Sequence, residues 1–115
     1  MEKTILEKIK TTQNTLQGVV DKISTLTSGN VAHVIPSIRS ITLNINEVMI
    51  DDIIQQCEDN EIKQLLEKIE RNVYAIDNFL QQINPSNVDN AKNHLISWME
   101  FYVNAINEAL KKYET

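Results

Sequence analysis

The two histidines are the first side chains to consider for chemistry, because an imidazole can serve as an acid, a base or a metal ligand. They are His33 and His94. A di-iron centre in a helical bundle uses Glu-x-x-His motifs, in which a glutamate stands three residues before the histidine. Asn30 and Ala91 occupy those positions here. The sequence therefore predicts no metal site of this kind, and we expect both imidazoles to lie at the surface or the edge of the fold.

Phosphoryl transfer is an alternative role for His33. In helical phosphotransfer domains an exposed histidine is followed by Lys and Gly, which leave room for a response regulator. Pro36 and Ser37 stand where those residues are wanted, and the bulky Trp98 follows His94 where a small residue is needed. A phosphotransfer-type signalling bundle using His33 is therefore kept as an alternative and not as the main prediction.

Cys57 has no second cysteine with which to form a disulfide or a zinc site. Its spacing from Ile50 and Ile54 predicts a core residue. The chain has no Gly-x-Ser-x-Gly motif and no phosphate-binding loop, so we expect no catalysis and no cofactor. The amphipathic start of the chain does not resemble a signal peptide, and a single free thiol fits a reducing compartment, so the expected location is the cytoplasm.

An acidic patch is the densest charge feature of the sequence. It is interpreted as a solvated helix end, or as a surface that holds a hard cation weakly or meets a basic partner. It lacks the glycine-containing alternation of a calcium-binding loop. The predicted patch consists of Glu47, Asp51, Asp52 and Glu58.

Composition excludes several classes of protein. The 115 residues are 42% hydrophobic, with 2 Gly, 2 Pro and a net charge of −5. A chain of this length usually forms one domain with its own core, so residues 1–115 are predicted to be a single domain. The acidic balance and the lack of a basic run argue against nucleic acid as a partner. No apolar run approaches the roughly 18 residues of a membrane span, so no membrane contact is expected.

Apolar residues recur at alternating steps of four and three, the period of an α-helix and not of a strand. The pattern predicts an all-α, antiparallel, up-down-up-down four-helix bundle with short connections. Its helices are predicted over residues 2–27, 31–58, 60–84 and 86–113. The second is predicted as one helix, with a kink near residues 51–52 as the alternative, and Asp59 or Asn60 is expected to cap the third. No internal repeat beyond the heptads is apparent.

The fourth predicted helix has more apolar residues than a bundle needs. One stripe contains Trp98 and Tyr102, which are expected to fill the core together with Tyr113. The surplus is explained either by deep burial or by a second interface for a helix or a second copy. The predicted partner-binding residues are Met99, Phe101, Val103, Ile106 and Leu110.

Taken together, these patterns predict a non-enzymatic helical adaptor that works by protein–protein contact, with a homodimer as one version. The fourth helix would supply the contact surface, and the acidic patch would tune the choice of partner. A bundle that binds a small apolar ligand in its core is the second alternative, beside phosphotransfer at His33.

Overall fold

The computed structural model describes residues 1–45 and 50–114, and within those ranges it contains helices and no strand. The all-α prediction is confirmed. The helices are α1 (Lys3–Ser24), α2 (Val31–Asn44), α3 (Asp51–Gln56), α4 (Asn60–Gln81) and α5 (Val88–Leu110), followed by a short 3-10 helix, Lys111–Tyr113.

Helices α1 and α4 bury the heptad stripes that the sequence predicts, because a residue every three or four positions returns to the same face of a helix. Thr12 is the one polar residue in the α1 stripe, and it is fully buried. Its hydroxyl donates a hydrogen bond to the backbone carbonyl of Lys8 at 2.9 Å, so the polar group is satisfied inside the core. Asp59 caps α4 as expected, since its carboxylate accepts hydrogen bonds from the backbone N–H groups of Glu61 and Ile62.

The region predicted as a single helix over 31–58 contains two helices, α2 and α3. Residues 46–49 lie between these two helices in the sequence and outside the described residues. Helix α3 ends at Gln56 because the backbone of Cys57 is extended, with ψ of 123°. Asp51 and Asp52 occupy the first turn of α3, where negative charge interacts favourably with the helix dipole.

Cross-helix contacts give the directions of neighbouring helices. Lys22, near the end of α1, donates to the hydroxyl of Ser37 early in α2 at 3.1 Å. Lys8, near the start of α1, reaches Asp52 in α3 at 3.0 Å. Helix α1 therefore runs antiparallel to the α2–α3 pair.

Helix α4 also runs antiparallel to both of its neighbours. Arg39 in α2 forms a bidentate ion pair with Asp77 near the end of α4, at 2.8 and 3.2 Å. Asp51 in α3, later in the chain, lies beside the middle of α4. Phe79, at the end of α4, contacts His94 near the start of α5. Helix α1 packs against α5 and α2, α4 packs against α2 and α5, and α3 bridges α1 and α4. The helices enclose one core in a body measuring 45 × 25 × 18 Å.

The loops before α2 and α5 share one hydrogen-bonding design. Asn30 accepts from the backbone N–H three residues earlier at 2.7 Å and donates to the carbonyl five residues earlier at 2.9 Å. Asn87 makes the same two bonds at 2.8 and 3.0 Å. Each asparagine therefore ties the start of one helix to the end of the helix before it.

The two loops belong to two helical hairpins whose buried positions coincide after a shift of 57 residues, the distance from Asn30 to Asn87. The first hairpin comprises α1, α2 and α3, and the second comprises α4 and α5. Sequence inspection missed this correspondence because it preserves burial and helix register more than residue identity. Equivalent buried pairs include Ile5 and Ile62, Ile9 and Leu66, Leu26 and Ile83, Val31 and Val88, and Ile38 and Leu95.

Candidate functional site

Four of the five predicted partner-binding residues lie in the core of the chain. Met99, Val103, Ile106 and Leu110 are each no more than 4% exposed. The apolar surplus of this helix is therefore used mostly for packing within the monomer. Phe101 is the exception, since 65% of it is exposed.

The stripe that is predicted to fill the core on α5 is buried only in part, at three of its residues: Val88, Leu95 and Ala109. Trp98 and Tyr102 are half-buried, as is Tyr113 beyond the end of the helix. The core stripe and the edge stripe are offset by one residue, which rotates a side chain by about 100° around the helix. Helical spacing does not separate the two stripes at these positions, because both have the same period and both are apolar.

Aromatic side chains on α4 and α5 form a continuous surface, which we call the aromatic face: Phe79, His94, Trp98, Phe101 and Tyr102. The ring centroids of Trp98 and Tyr102 are 4.6 Å apart. Phe101 meets Tyr102 edge-to-face at 5.3 Å, a geometry that aromatic quadrupoles favour. Phe79 and His94 join the two helices at 5.8 Å.

Two adjoining open depressions follow the aromatic face. One, of about 190 Å³, lies between α4 and α5 and is lined by Asn72, Ala75 and Phe79 among others. The other, of about 460 Å³, continues along α5 past Ser97 and Phe101. His94 and Trp98 line both depressions, so they form one elongated groove.

The inner edges of Trp98 and Tyr102 border a cavity of about 10 Å³ inside the fold, where Leu16 and Val73 also contribute to its apolar lining. This volume is close to the minimum that one water molecule needs. An organic ligand therefore does not fit in this cavity, and the side chains beneath the aromatic face are tightly packed.

The acidic patch is only partly described. Glu47 lies outside the described residues, while Asp51, Asp52 and Glu58 are exposed. Asp52 pairs with Lys8, so part of its charge is neutralised within the chain. Burial raises the pKa of Glu70 in α4, and the neighbouring carboxylate of Asp51 raises it further.

Over residues 1–45 and 50–114, no three His, Cys, Asp or Glu side chains are grouped so that they could hold a metal ion. His33 is exposed in the first turn of α2, and its backbone N–H donates to the carbonyl of Asn30. Cys57 is a buried free thiol, as predicted. Phosphoryl transfer at His33 stays a prediction.

A second cluster joins the end of the chain to the start of α4, and we call it the C-terminal latch: Asp59, Lys112 and Tyr113. While Asp59 Oδ1 caps α4, its Oδ2 accepts a hydrogen bond from the Tyr113 hydroxyl and pairs with the Lys112 ammonium, both at 2.5 Å. Burial disfavours the carboxylate, but the bonds from Lys112, Tyr113 and the backbone N–H of Ile62 outweigh it and hold the pKa of Asp59 at about 2.

The sulfur of Cys57 lies beside the C-terminal latch, and its thiol donates to the backbone carbonyl of Asp59 at 3.4 Å. Burial raises the pKa of the Cys57 thiol, which disfavours the thiolate form. Sequence reasoning found the cap at Asp59 but not its long-range partners, since nothing in the spacing links residue 59 to residues 112 and 113.

The chain was compared with protein-family models, curated proteins and solved structures, and none of them matches. In the described part of the chain, no helix is long and apolar enough to cross a membrane.

Proposed function

We propose that the protein is a non-enzymatic four-helix-bundle interaction protein that binds another protein through the aromatic face. In this bundle α2 and α3 together occupy one position, and α1, α4 and α5 occupy the other three. The ring of neighbouring helices and their antiparallel contacts support this arrangement. The free thiol of Cys57 supports a reducing cytoplasm as the compartment.

The observation that carries the proposal is the 65% exposure of Phe101 beside the half-buried rings of Trp98 and Tyr102. Exposing an aromatic side chain to water is unfavourable, and covering it with a partner recovers that free energy. Aromatic residues also supply a large share of the binding energy at protein interfaces. The aromatic face thus has the composition of an interface on a rigid support.

The shape of the groove favours a helical segment as the bound element. Its two depressions follow the axis of α5, and its lining is mainly apolar with a few polar groups, among them Asn72 and Ser97. An amphipathic helix binds such a groove by placing residues from successive turns into it. The partner we propose therefore presents a helix with an apolar stripe.

Site-specific photo-cross-linking tests this proposal. A benzophenone amino acid replaces Phe101 in one sample and Tyr74 in a matched control, because Tyr74 is also aromatic, helical and 61% exposed. We expect irradiation in cell extract to give a discrete adduct from position 101 and not from position 74. Excess wild-type protein should suppress an adduct with a different protein, whereas excess Phe101→Ser protein should not. Equal adduct patterns from the two positions would contradict the proposal.

A further inference from the structure

The outward side of α5 carries a second stripe with heptad spacing, which we call the outer seam: His94, Trp98, Phe101, Ala105 and Glu108. The steps along it are four, three, four and three residues, as at the contact line of a coiled coil. Every member is exposed or half-buried, so the seam faces away from the core. Helix α5 therefore has one stripe for its own core and another that is free to pack against a helix.

The outer seam is complementary to itself when two copies run antiparallel. If a two-fold axis passes beside Phe101, His94 of one copy faces Glu108 of the other, because each lies seven residues from Phe101. Trp98 lies three residues before Phe101 and Ala105 four residues after it, so the indole of one copy lies within one residue of the small Ala105 side chain of the other. Because the arrangement is two-fold, the contact between imidazole and carboxylate and the contact between indole and alanine each occur twice.

From this self-complementarity we infer that the occupant of the aromatic face is a second copy of this chain, with α5 packed antiparallel against α5 about Phe101. This inference depends on the proposed function and names its partner. Two-fold homodimers are the commonest oligomers, and their interface uses the same patch on both subunits.

Charge supports a second copy at this face. The chain has a net charge of −5, so two copies repel each other over acidic surface. The aromatic face contains no Asp, Glu, Lys or Arg, and the outer seam adds only Glu108. That carboxylate is exposed and bonded to Lys111 at 2.7 Å, which offsets its charge while its remaining lone pairs stay available to the partner copy's imidazole.

The first test is the solution mass across a range of concentrations, measured by sedimentation equilibrium. The wild-type chain should form a dimer, and Phe101→Ser should be monomeric at concentrations where the wild type is dimeric. Tyr74→Ser should remain dimeric, since Tyr74 is comparably exposed but lies outside the outer seam. A wild-type chain that is monomeric at every concentration would overturn the inference.

Charge exchange tests the antiparallel register separately from folding. His94→Glu alone places two carboxylates opposite each other, and Glu108→Lys alone replaces the carboxylate that faces the partner's imidazole with an ammonium. Each should weaken the homodimer by about tenfold or more, the scale expected for a charge pair at an interface. The double variant restores unlike pairs and should dimerise again.

Mixing the two single variants provides the sharpest result. In that heterodimer the introduced glutamate of one chain faces the introduced lysine of the other, and the native Glu108 faces the native His94, so both pairs are favourable. We expect the mixture to form heterodimers more tightly than either variant forms homodimers. Because mixing would not correct a folding defect, tighter heterodimers would show that the single variants are weakened at the interface. A mixture of folded variants that stays as weak as its components would rule out the antiparallel register.

The photo-cross-linking experiment separates the two proposals. An adduct from position 101 with the mass of two chains supports both. An adduct with a different protein leaves the proposed function standing and overturns the inference of a second copy. If position 101 gives no more adduct than position 74, both fail.

Discussion

The two helical hairpins have the same framework but different surfaces. Lys22 and Ser37 form a polar hydrogen bond between the helices of the first hairpin. A shift of 57 residues places Phe79 and His94 at those two positions in the second hairpin, where they form an aromatic contact. Since the loops and the core positions of the two hairpins are alike, the aromatic face is a surface difference between hairpins that share one framework.

The difference extends to the ends of the hairpins. Glu2 precedes α1 and makes no side-chain capping bond, whereas Asp59 at the equivalent position caps α4 and also holds the end of the chain. The second hairpin therefore contains both the aromatic face and the C-terminal latch. We expect variants to have equal effects where the hairpins are alike and unequal effects where they differ.

The largest effects should come from the core, and they should be similar in the two hairpins. Ile38→Ala and Leu95→Ala remove equivalent buried side chains, which are 0% and 4% exposed. Each should lower the free energy of unfolding by about 2–5 kcal/mol, the usual cost of such a cavity. Urea denaturation measures this quantity, and Phe101→Ala at low protein concentration serves as a surface control. A neutral Leu95→Ala would contradict the core register of α5.

That register also shows how far the sequence could predict the structure. Helical spacing was sufficient for α1 and α4, because each has a single apolar stripe. Helix α5 has two stripes one residue apart, and spacing alone does not say which one meets the core. The predicted stripe is right at Leu95, which is 4% exposed, but wrong at Trp98, which is half-buried while Met99 lies in the core.

The candidate site was less predictable than the fold, for a related reason. Phe101 was identified from the sequence because it falls outside the stripes on α5. The pairing of Phe79 with His94 depends on how α4 and α5 pack, which local spacing does not encode. The same holds for the contact between Asp59 and Tyr113, because these two residues are 54 positions apart in the sequence.

The next largest effect on stability should differ between the residues that precede α1 and α4. Asp59→Ala removes the cap of α4 and the contacts with Lys112 and Tyr113, so it should lower the free energy of unfolding by about 2 kcal/mol. Glu2→Ala should change the free energy of unfolding by less than about 0.5 kcal/mol, because Glu2 is exposed and makes no capping bond. Thermal and urea denaturation of both variants would test this, and equal costs would contradict the asymmetry.

Acid should weaken the second hairpin through the same carboxylate. The pKa of Asp59 falls from 3.8 to about 2 on folding, which corresponds to about 2 kcal/mol of stability. A carboxyl whose pKa is lowered on folding contributes fully above its unfolded value, and the contribution is lost as the pH falls through the folded value. The loss should therefore occur between about pH 4 and pH 2.

The control for this acid effect is the double variant Lys112→Ala with Tyr113→Phe, which keeps the cap and removes the latch. NMR titration of the Asp59 carboxyl carbon should show a higher pKa in that variant than in the wild type. An unchanged titration would mean that the contacts with Lys112 and Tyr113 do not stabilise the carboxylate.

Equivalent substitutions in the two interhelical loops should lower the free energy of unfolding by equal amounts. Asn30→Ala and Asn87→Ala each remove a side chain that bonds the same two backbone positions, so each should cost about 1 kcal/mol. Asn44→Ala is the matched control, because Asn44 is an exposed asparagine at the end of α2. If the two variants lose clearly different amounts of stability, the two loops do not contribute equally to stability despite their shared geometry.

The smallest effects should come from the side-chain pairs that distinguish the hairpins most directly. A double-mutant cycle on Phe79 and His94 should give a coupling of about 0.5–1.5 kcal/mol, as for other aromatic pairs. The cycle on Lys22 and Ser37 should give less than about 0.5 kcal/mol, since that bond is exposed and competes with water. Both cycles use alanine variants at a protein concentration that keeps the chain monomeric. Equal couplings would imply that the aromatic contact adds nothing to stability beyond what the polar bond adds, and the aromatic residues would then be explained by binding alone.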